Sequence, residues 1–247
     1  MSALLETVGL TRFFGMVRAA ENLNIRIQEG EMVGIIGSNG SGKTTFLNLA
    51  TGYLKPERGR ILLDGRDTTA LPPRLVTRLG VARSFQIPQL YLGLTVIENV
   101  LLSLAARSRR VGVWGLLHQP QWTGEGRQIL GRFDLDRYVD RPVSELPEGA
   151  RKLLDIAVAA ALRPRLLLMD EPTAGVSTQD KFEVMDTLVS VLRGSGITTI
   201  FVEHDMDVVL RYSRRVLVFD QGLVIADGEP AAVLTNTNVR KAVLGHA

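Results

Sequence analysis

The sequence predicts an α/β fold built around a mainly parallel sheet. Short apolar runs alternate with helical spacings along the 247 residues, and glycine-rich turns separate them. The consecutive apolar residues at 166–169, and similar runs at 198–202 and 216–219, are typical of strands that are covered on both faces. A chain of this length buries roughly 70–75% of its unfolded surface, so a full core needs no covalent staples.

The composition narrows the class of protein. With 45% apolar and 22% charged residues, 24 Gly and 10 Pro, it is typical of a globular domain and excludes coiled coils, collagen and wholesale disorder. The absence of cysteine excludes disulfide frameworks, zinc–thiolate sites and thiol nucleophiles. The sequence contains no uncharged apolar run of about 18 residues, which is the feature that would indicate a membrane span. A net charge of +3 is too small to indicate binding to nucleic acid, and we expect none.

The elements of the first half follow two simple rules. Apolar runs that end at a glycine or an acid–glycine turn are predicted as strands, and apolar residues spaced three and four apart are predicted as helices. On this basis we expect strands at 23–27, 32–36, 60–63 and 81–85, and helices at 44–51 and 96–106.

The second half repeats this alternation after a less regular region. Residues 108–142 contain several arginines, two tryptophans and glycines, and we expect an inserted, partly helical region with a loop near 114–126. We interpret the tryptophans as packing and loop anchors. A broad apolar face predicts a helix over 151–162 that Pro164 ends, and a further helix is expected at 182–192 between strands.

The strongest chemical signal follows the predicted strand at 32–36. Residues 37–44 fit the pattern G-x-x-x-x-G-K-[ST] between a strand and a helix, where backbone N–H groups and a helix N-terminus surround phosphates. We expect Lys43 to reach the β- and γ-phosphates of ATP and the Thr44 hydroxyl to bind Mg²⁺. The predicted nucleotide-binding residues here are Gly37, Ser38, Asn39, Gly40, Ser41, Gly42, Lys43, Thr44 and Thr45.

Polar residues at the ends of three other strands complete a candidate ATPase site. Asp170 and Glu171 follow a buried strand, and we expect Asp170 to hold the metal and Glu171 to polarise the attacking water as general base. His204 follows the strand at 198–202 and is predicted to sense the γ-phosphate. Gln86, just past the strand at 81–85, is predicted to contact Mg²⁺ or the attacking water.

The order of these motifs resembles the ATP-binding-cassette (ABC) transporter ATPases over essentially the whole chain. The resemblance implies a P-loop NTPase (RecA-like) core with an antiparallel β subdomain. It implies one ABC domain over 1–247, into which a helical subdomain at about 90–163 is inserted. It further implies that Phe14 stacks on adenine, although the neighbouring Phe13 has the same chemistry.

The family's signature segment departs from its usual sequence here. Where the family has Leu-Ser-Gly-Gly-Gln, residues 146–150 read Leu-Pro-Glu-Gly-Ala. In the family this segment contacts the γ-phosphate bound to the partner subunit. Pro147 removes the hydroxyl and an N–H, and Glu148 brings negative charge towards phosphate, whereas Gly149 retains its expected nucleotide contact. These changes put in question how well the chain completes its partner's site, and they keep a degenerate regulatory subunit as an alternative.

Within this family the sequence is most similar to the branched-chain amino acid importer type. Urea importers and the lipopolysaccharide-exporter ATPase share much of the similarity, so a lipid or lipopolysaccharide exporter ATPase is a second alternative. ABC proteins of DNA repair or translation have long coiled coils or two cassettes, for which 247 residues leave no room. The similar segments are 79–86, 94–100, 171–175, 203–207 and 239–245.

The resemblance also implies partners and a location. It implies ATP and Mg²⁺ as cofactors, two membrane permease subunits and a second ABC ATPase subunit, with a heterodimer favoured. An extracytoplasmic solute-binding protein would act indirectly, and the chain would be peripheral on the cytoplasmic face of the inner or plasma membrane. Ile87, Pro88, Leu90 and Tyr91 lie in a predicted surface loop, which either forms a groove for a permease loop or packs between subdomains.

Overall fold

The computed structural model describes residues 3–108, 120–237 and 239. The strands are β1 (Ala3–Phe14), β2 (Val17–Leu23), β3 (Arg26–Gln28), β4 (Met32–Gly37), β5 (Arg58–Leu63), β6 (Arg66–Asp67), β7 (Val81–Ser84), β8 (Leu166–Asp170), β9 (Thr198–Val202), β10 (Arg215–Asp220) and β11 (Leu223–Gly228). The helices are α1 (Lys43–Ala50), α2 (Pro73–Arg78), α3 (Val96–Ser108), α4 (Pro120–Arg132), α5 (Glu148–Ala161), α6 (Asp180–Gly194), α7 (Met206–Tyr212) and α8 (Pro230–Thr235).

The larger sheet is the predicted parallel one. In the part of the chain that the structure describes, it has six strands in the order β11-β10-β4-β9-β8-β7, and only β11 pairs in the antiparallel sense. The carboxyl ends of β4, β9, β8 and β7 therefore lie side by side at one edge. Ligands of open α/β sheets bind at this edge, so the topology gathers the loops that follow these strands.

Both faces of this sheet are buried, which explains the uninterrupted apolar runs. Leu166 and Leu168 of β8 face a core shared with the smaller sheet and α1. Leu167 and Met169 face the opposite core, which contains residues of α3, α5 and α6. Because successive side chains of a strand point to opposite faces, a strand covered on both sides is apolar at every position.

The smaller sheet is antiparallel, with the order β2-β1-β5-β6 and β3 also paired with β1. The predicted continuous strand at 23–27 is wrong, since β2 ends at Leu23 and β3 begins at Arg26. The Thr7 side chain causes this break, because its hydroxyl donates to the Leu23 carbonyl (3.0 Å) and accepts from the Ile25 N–H (3.0 Å). A side chain thus replaces one step of the backbone ladder, which sequence alternation alone does not reveal.

The region 108–142 contains more helix than predicted. The predicted loop is wrong from residue 120 onwards, because α4 occupies Pro120–Arg132, whereas 114–119 lies outside the described residues. The glycine at 126 permits close packing of helices: a Cβ there would lie 2.8 Å from the Ile97 side chain of α3. Composition suggested a loop because a glycine that serves helix packing looks the same as one that serves a turn.

Other predicted elements lie within a few residues of those observed. The strand at 198–202 has the same bounds as β9, whereas α5 begins three residues before the predicted start at 151. The helices α3, α4 and α5 pack on one another in the inserted region, but the subdomain bounds of about 90–163 stay a prediction. None of the helices in the described ranges has the length and apolar character that crossing a bilayer requires.

Candidate active site

At two positions in the loop between β4 and α1, the backbone leaves room only for glycine. Gly42, the residue before α1, has a φ of +108°, and a Cβ there would lie 2.2 Å from the Ala19 carbonyl oxygen. A Cβ on Gly37 would lie 2.2 Å from the Phe219 carbonyl oxygen. The loop is thus clamped between β2 and β10, with no room for side chains at these two positions.

Lys43 holds a buried positive charge inside this loop. Its Nζ donates to the carbonyl oxygens of Gly37 (2.7 Å) and Ser38 (2.8 Å), and the residue is only 6% exposed. Burial lowers the pKa of Lys43, whereas the nearby carboxylates of Glu171 and Asp170 act to raise it. A lysine whose hydrogen bonds go to neutral backbone carbonyls is chemically suited to exchange them for an anion.

Three further observations show that the loop fits a phosphate. The Ser41 hydroxyl is buried and has no hydrogen-bond partner among the described residues. Helix α1 has no acidic residue in its first turn, so its N-terminal partial charge is left for an external anion. A depression of about 170 Å³ opens here, and it is lined by residues 39–45 together with Glu171 and His204.

Glu171 brings three of the predicted catalytic side chains together. Its Oε2 accepts a hydrogen bond from Gln86 Nε2 (2.7 Å), and its Oε1 lies 3.0 Å from His204 Nε2. The backbone of Glu171 has a φ of +52°, a conformation that costs a non-glycine residue free energy. This turn directs the carboxylate across the ends of β7 and β9 rather than along β8.

Asp170, which precedes Glu171, is held by a partner that the sequence did not reveal. Arg83 of β7 donates to Asp170 Oδ2 (2.8 Å) and, through its other terminal nitrogen, to Asn48 Oδ1 (2.6 Å). Both side chains of the ion pair are 5% exposed. The arginine comes from a neighbouring strand 87 positions away, so no local pattern in the sequence links it to the aspartate.

The donor set at this edge fits Mg²⁺ only with help from a ligand. Within the described ranges, no group of three or more His, Cys, Asp or Glu side chains gathers into a metal site. Mg²⁺ commonly uses one or two carboxylates together with phosphate oxygens. Thr44, Gln86 and Asp170 supply a hydroxyl, an amide and a carboxylate of the right kind, so the fit is to a metal carried by a nucleotide.

Glu203 was missed in the sequence, although it is buried beside His204. One carboxylate oxygen accepts from the Thr173 N–H (3.0 Å) and hydroxyl (2.7 Å), and the other accepts from the His204 N–H (3.2 Å). Burial raises the pKa of Glu203. An acid after a buried strand was the signal that identified Asp170, and the same signal is present at the end of β9.

Two predicted nucleotide contacts lie away from this cluster. Phe14 is 47% exposed at the end of β1, where the Arg12 guanidinium lies 5.0 Å from its ring centroid. Gly149 lies in the first turn of α5, and a Cβ there would lie 3.3 Å from Val184 of α6. Neither residue lines the depression beside Lys43.

Known proteins are similar in sequence to this chain over nearly its full length. The model of the family described as ABC transporter matches residues 20–174. A probable branched-chain amino acid transport ATP-binding protein, LivG, of Archaeoglobus fulgidus is 35% identical over 98% of this chain and 95% of its own length. The high-affinity branched-chain amino acid transport ATP-binding protein LivG of Escherichia coli K12 is 36% identical over 99% of this chain and 98% of its own length.

Solved structures show the same similarity in three dimensions. The ADP conformation of an ATP-binding cassette of an ABC transporter superposes with a TM-score of 0.87, at 30% identity, over 100% of both chains. A dimeric post-hydrolysis cassette bound to ADP and Pi has a TM-score of 0.79 at 27% identity, over 92% of this chain and 98% of that one.

Proposed function

This chain belongs to the ABC transporter family as a transport ATPase, and from that premise we propose that it drives an importer of branched-chain amino acids or related small solutes. One observation carries the catalytic part of the proposal. The Glu171 carboxylate contacts both Gln86 and His204 at the edge of the depression that contains Lys43. A water held between this carboxylate and a bound γ-phosphate is placed for attack.

Each residue has a role that its contacts support. The N–H groups of the loop before α1, the Ser41 hydroxyl and the Lys43 ammonium bind the phosphates of ATP. Glu171 takes a proton from the attacking water as general base. His204 and Gln86 hold the Glu171 carboxylate and contact the γ-phosphate and the water. Phe14, on the hairpin above the loop, is proposed to stack on the adenine ring.

Mg²⁺ would be held by Thr44, Gln86 and Asp170 together with the nucleotide. When bound, it neutralises charge on the phosphates and so assists departure of the leaving group. The ion pair with Arg83 fixes the direction of the Asp170 carboxylate. This chain therefore supplies an oriented carboxylate in place of a complete metal cage.

The test of this proposal separates binding from turnover. Glu171→Gln keeps the shape of the side chain but removes the base, so we expect ATP affinity to stay within about threefold while hydrolysis falls about 10²–10⁴-fold. Lys43→Ala removes a charged hydrogen-bond donor, so we expect ATP affinity itself to fall about tenfold to hundredfold. Both are measured on the full chain assembled with its transporter, by nucleotide titration and phosphate release.

Glu29→Gln is the control, because Glu29 is an exposed acid in the turn before β4, at the opposite end of that strand from the site, where it pairs with Arg165. It is expected to leave both quantities unchanged. Hydrolysis by Glu171→Gln at the wild-type rate contradicts the assignment of the base.

The substrate class follows from the relatives. The relatives described above are named for branched-chain amino acid transport, and the match covers nearly their full length. We therefore propose leucine, isoleucine and valine as the first solutes to test in vesicles that contain this chain, its permeases and its solute-binding protein. Outward movement of a lipid driven by the same assembly supports the exporter alternative instead.

The permease contact is proposed to lie on the loop after Gln86. Ile87 is 75% exposed, Tyr91 64% and Leu92 52%, which makes this a cluster of large apolar side chains on the surface. Leu90, predicted as part of this surface, instead packs against the helical core. We expect Tyr91→Asp to abolish solute uptake while ATP affinity is retained; unchanged uptake places the permease contact elsewhere.

The second ATPase subunit is proposed to be a different chain. Related cassettes form dimers, and here Pro147 and Glu148 weaken the surface that serves the partner's nucleotide. A partner with an ordinary signature restores one good site, whereas a homodimer carries the defect twice.

We place the assembly at the cytoplasmic face of the membrane, with the helices α3 to α5 as the inserted subdomain.

A further inference from the structure

The loop that contains Gln86 is held by a buried carboxylate of α5. Asp155 Oδ2 accepts a hydrogen bond from the Phe85 N–H (3.2 Å), and Asp155 Oδ1 accepts one from the Gln89 N–H (3.2 Å). The residue is only 6% exposed. One side chain therefore fixes the backbone on both sides of Gln86.

Lys152 lies one helical turn earlier on α5 and binds the same loop at its centre. Its Nζ donates to the Gln86 carbonyl oxygen and lies 3.5 Å from the Glu171 carbonyl oxygen. Gln86 and Glu171 are the two residues whose side chains meet at 2.7 Å. A single ammonium, 3% exposed, thus contacts the main chain of both.

The far end of the loop is tied to a second helix. Asn99 of α3 accepts from the Tyr91 N–H (2.9 Å) and donates to the carbonyl oxygens of Tyr91 (3.2 Å) and Thr95 (2.9 Å). The loop between β7 and α3 is therefore attached by side chains to the helical region at both ends, whereas Gln86 reaches across to the sheet.

Burying the charged side chains of Lys152 and Asp155 between α5 and the loop costs free energy. Burial raises the pKa of Asp155 to about 6 and lowers the pKa of Lys152. Apolar residues of similar volume often stabilise a fold as well as or better than buried charges do. Two such charges one turn apart, both bonded to main chain at the active-site edge, favour a role in placement over one in stability alone.

We propose that Lys152 and Asp155 are positioning residues for ATP hydrolysis, through which α5 sets the placement of Gln86 and of the Glu171 backbone. Helix α5 begins at Glu148, directly after Pro147, and carries both side chains within its first two turns. A shift of its N-terminus therefore moves the loop that carries Gln86. This inference rests on the proposed function, because it names residues that act through the proposed base and its neighbour.

The kinetic test uses Lys152→Met, which keeps an unbranched side chain one atom shorter and removes its charge. A displacement of about 1 Å in a catalytic group costs about a hundredfold in rate. We expect kcat for ATP hydrolysis by the assembled transporter to fall about tenfold to hundredfold, while KM for ATP stays within about threefold. Lys152→Arg restores a donor and is expected to recover part of the loss.

Lys55→Met is the matched control. Lys55 Nζ likewise donates to a backbone carbonyl, that of Leu71, but in a loop away from this edge. We expect its kcat and KM to equal those of wild type. A general effect of losing a lysine–carbonyl bond lowers kcat in both variants, whereas a positioning role lowers it only at residue 152.

A second measurement does not depend on turnover. Asp155→Asn keeps one carbonyl oxygen but loses an acceptor, so we expect amide hydrogen exchange at Phe85 and Gln89 to become at least about tenfold faster, with exchange in β8 unchanged. It also decides the question if Lys152→Met does not fold. Unchanged exchange at both amides, or folded Lys152→Met with wild-type kcat, overturns the proposal.

Failure of the proposed function would give a different experimental result. If the wild-type assembly hydrolyses no ATP, the function is wrong, while the exchange measurement still decides whether Asp155 and Lys152 hold the loop. If wild type hydrolyses ATP and these variants behave as wild type, only the positioning role fails.

Discussion

Helices α1 and α5 both bury a lysine near their start, and the two lysines serve different connections. Lys43 donates to Gly37 and Ser38, in the loop that immediately precedes its own helix. Lys152 donates to the carbonyl of Gln86, 66 positions away in sequence. Burial lowers the pKa of both lysines. Helix α1 therefore completes a local loop, whereas α5 joins distant parts of the chain.

The first turns of the two helices also differ in charge. Gly42 precedes α1, whose first turn contains no acid. Pro147 precedes α5, whose first turn contains Glu148, paired with Arg151 at 3.3 Å. An anion thus meets an uncompensated helix N-terminus at α1 and a carboxylate at α5. The two helix starts therefore differ in the charge that they would present to a phosphate, and this difference is open to experiment.

The largest effect on stability is expected from alanine at Gly42, and alanine at Gly149 is the comparison. Gly42→Ala places a Cβ 2.2 Å from the Ala19 carbonyl at a φ of +108°, so we expect a loss of about 4 kcal/mol in the free energy of unfolding. Gly149→Ala places a Cβ 3.3 Å from the Val184 side chain and 4.0 Å from that of Val176, and it gains helix propensity, so we expect a change within about 1 kcal/mol. Urea denaturation measures the free energy of unfolding of the two variants. Equal losses in the two variants would contradict the difference proposed between the starts of α1 and α5.

A slightly smaller effect is expected from the buried acid of α5. Burial raises the pKa of Asp155 from 3.8 to about 6, so the folded chain retains a proton that the unfolded chain has lost between those pH values. The stability contributed by this group is therefore present below about pH 4 and falls as pH rises to about 6. The shift corresponds to about 3 kcal/mol.

Asp155→Asn isolates this contribution from the other titrating groups. We expect the unfolding free energy of wild type minus that of the variant to fall by about 3 kcal/mol from pH 4 to pH 7. A pH-independent difference for Asp155→Asn contradicts the raised pKa.

The smallest effect is expected from restoring the usual signature residues. Pro147→Ser with Glu148→Gly returns a hydroxyl and removes the carboxylate, so we expect ATPase activity to rise by about tenfold or less in a heterodimer and more steeply in a homodimer. Glu145→Gly removes a nearby exposed acid and is the control. No change in either assembly means that the Gly149 backbone and the helix N-terminus suffice.

The sequence predicted what is local and missed what depends on distant partners. The loop before α1 was readable because its strand, glycines, Lys43 and helix follow one another without interruption. Arg83, Lys152 and Asp155 carried no such signal, since each bonds to residues at least 35 positions away, apart from the weaker contact of Lys152 with Glu171. A buried ion pair between strands is set by strand order, which hydrophobic periodicity does not encode.

The fold itself shows the same division. Uninterrupted apolar runs identified β4, β8 and β9 because both faces of the parallel sheet are covered. The antiparallel arrangement of the smaller sheet came only from the resemblance, since its central strand β1 is half-exposed and has a mixed pattern. Helix α4 was missed in part because its glycine at 126, which allows close packing on α3, had the composition of a loop.

The place of β4 between β10 and β9 has a consequence for synthesis of the protein. Both hydrogen-bonding partners of this strand follow it by about 160 residues or more. At typical translation rates of about 5–20 residues per second, the nascent strand waits roughly 10–30 s with both edges unpaired. Its sequence, Met-Val-Gly-Ile-Ile-Gly, is uncharged and apolar, the kind of exposed segment that aggregates. Ribosome-associated chaperones are therefore expected to protect this strand until β9 and β10 have emerged.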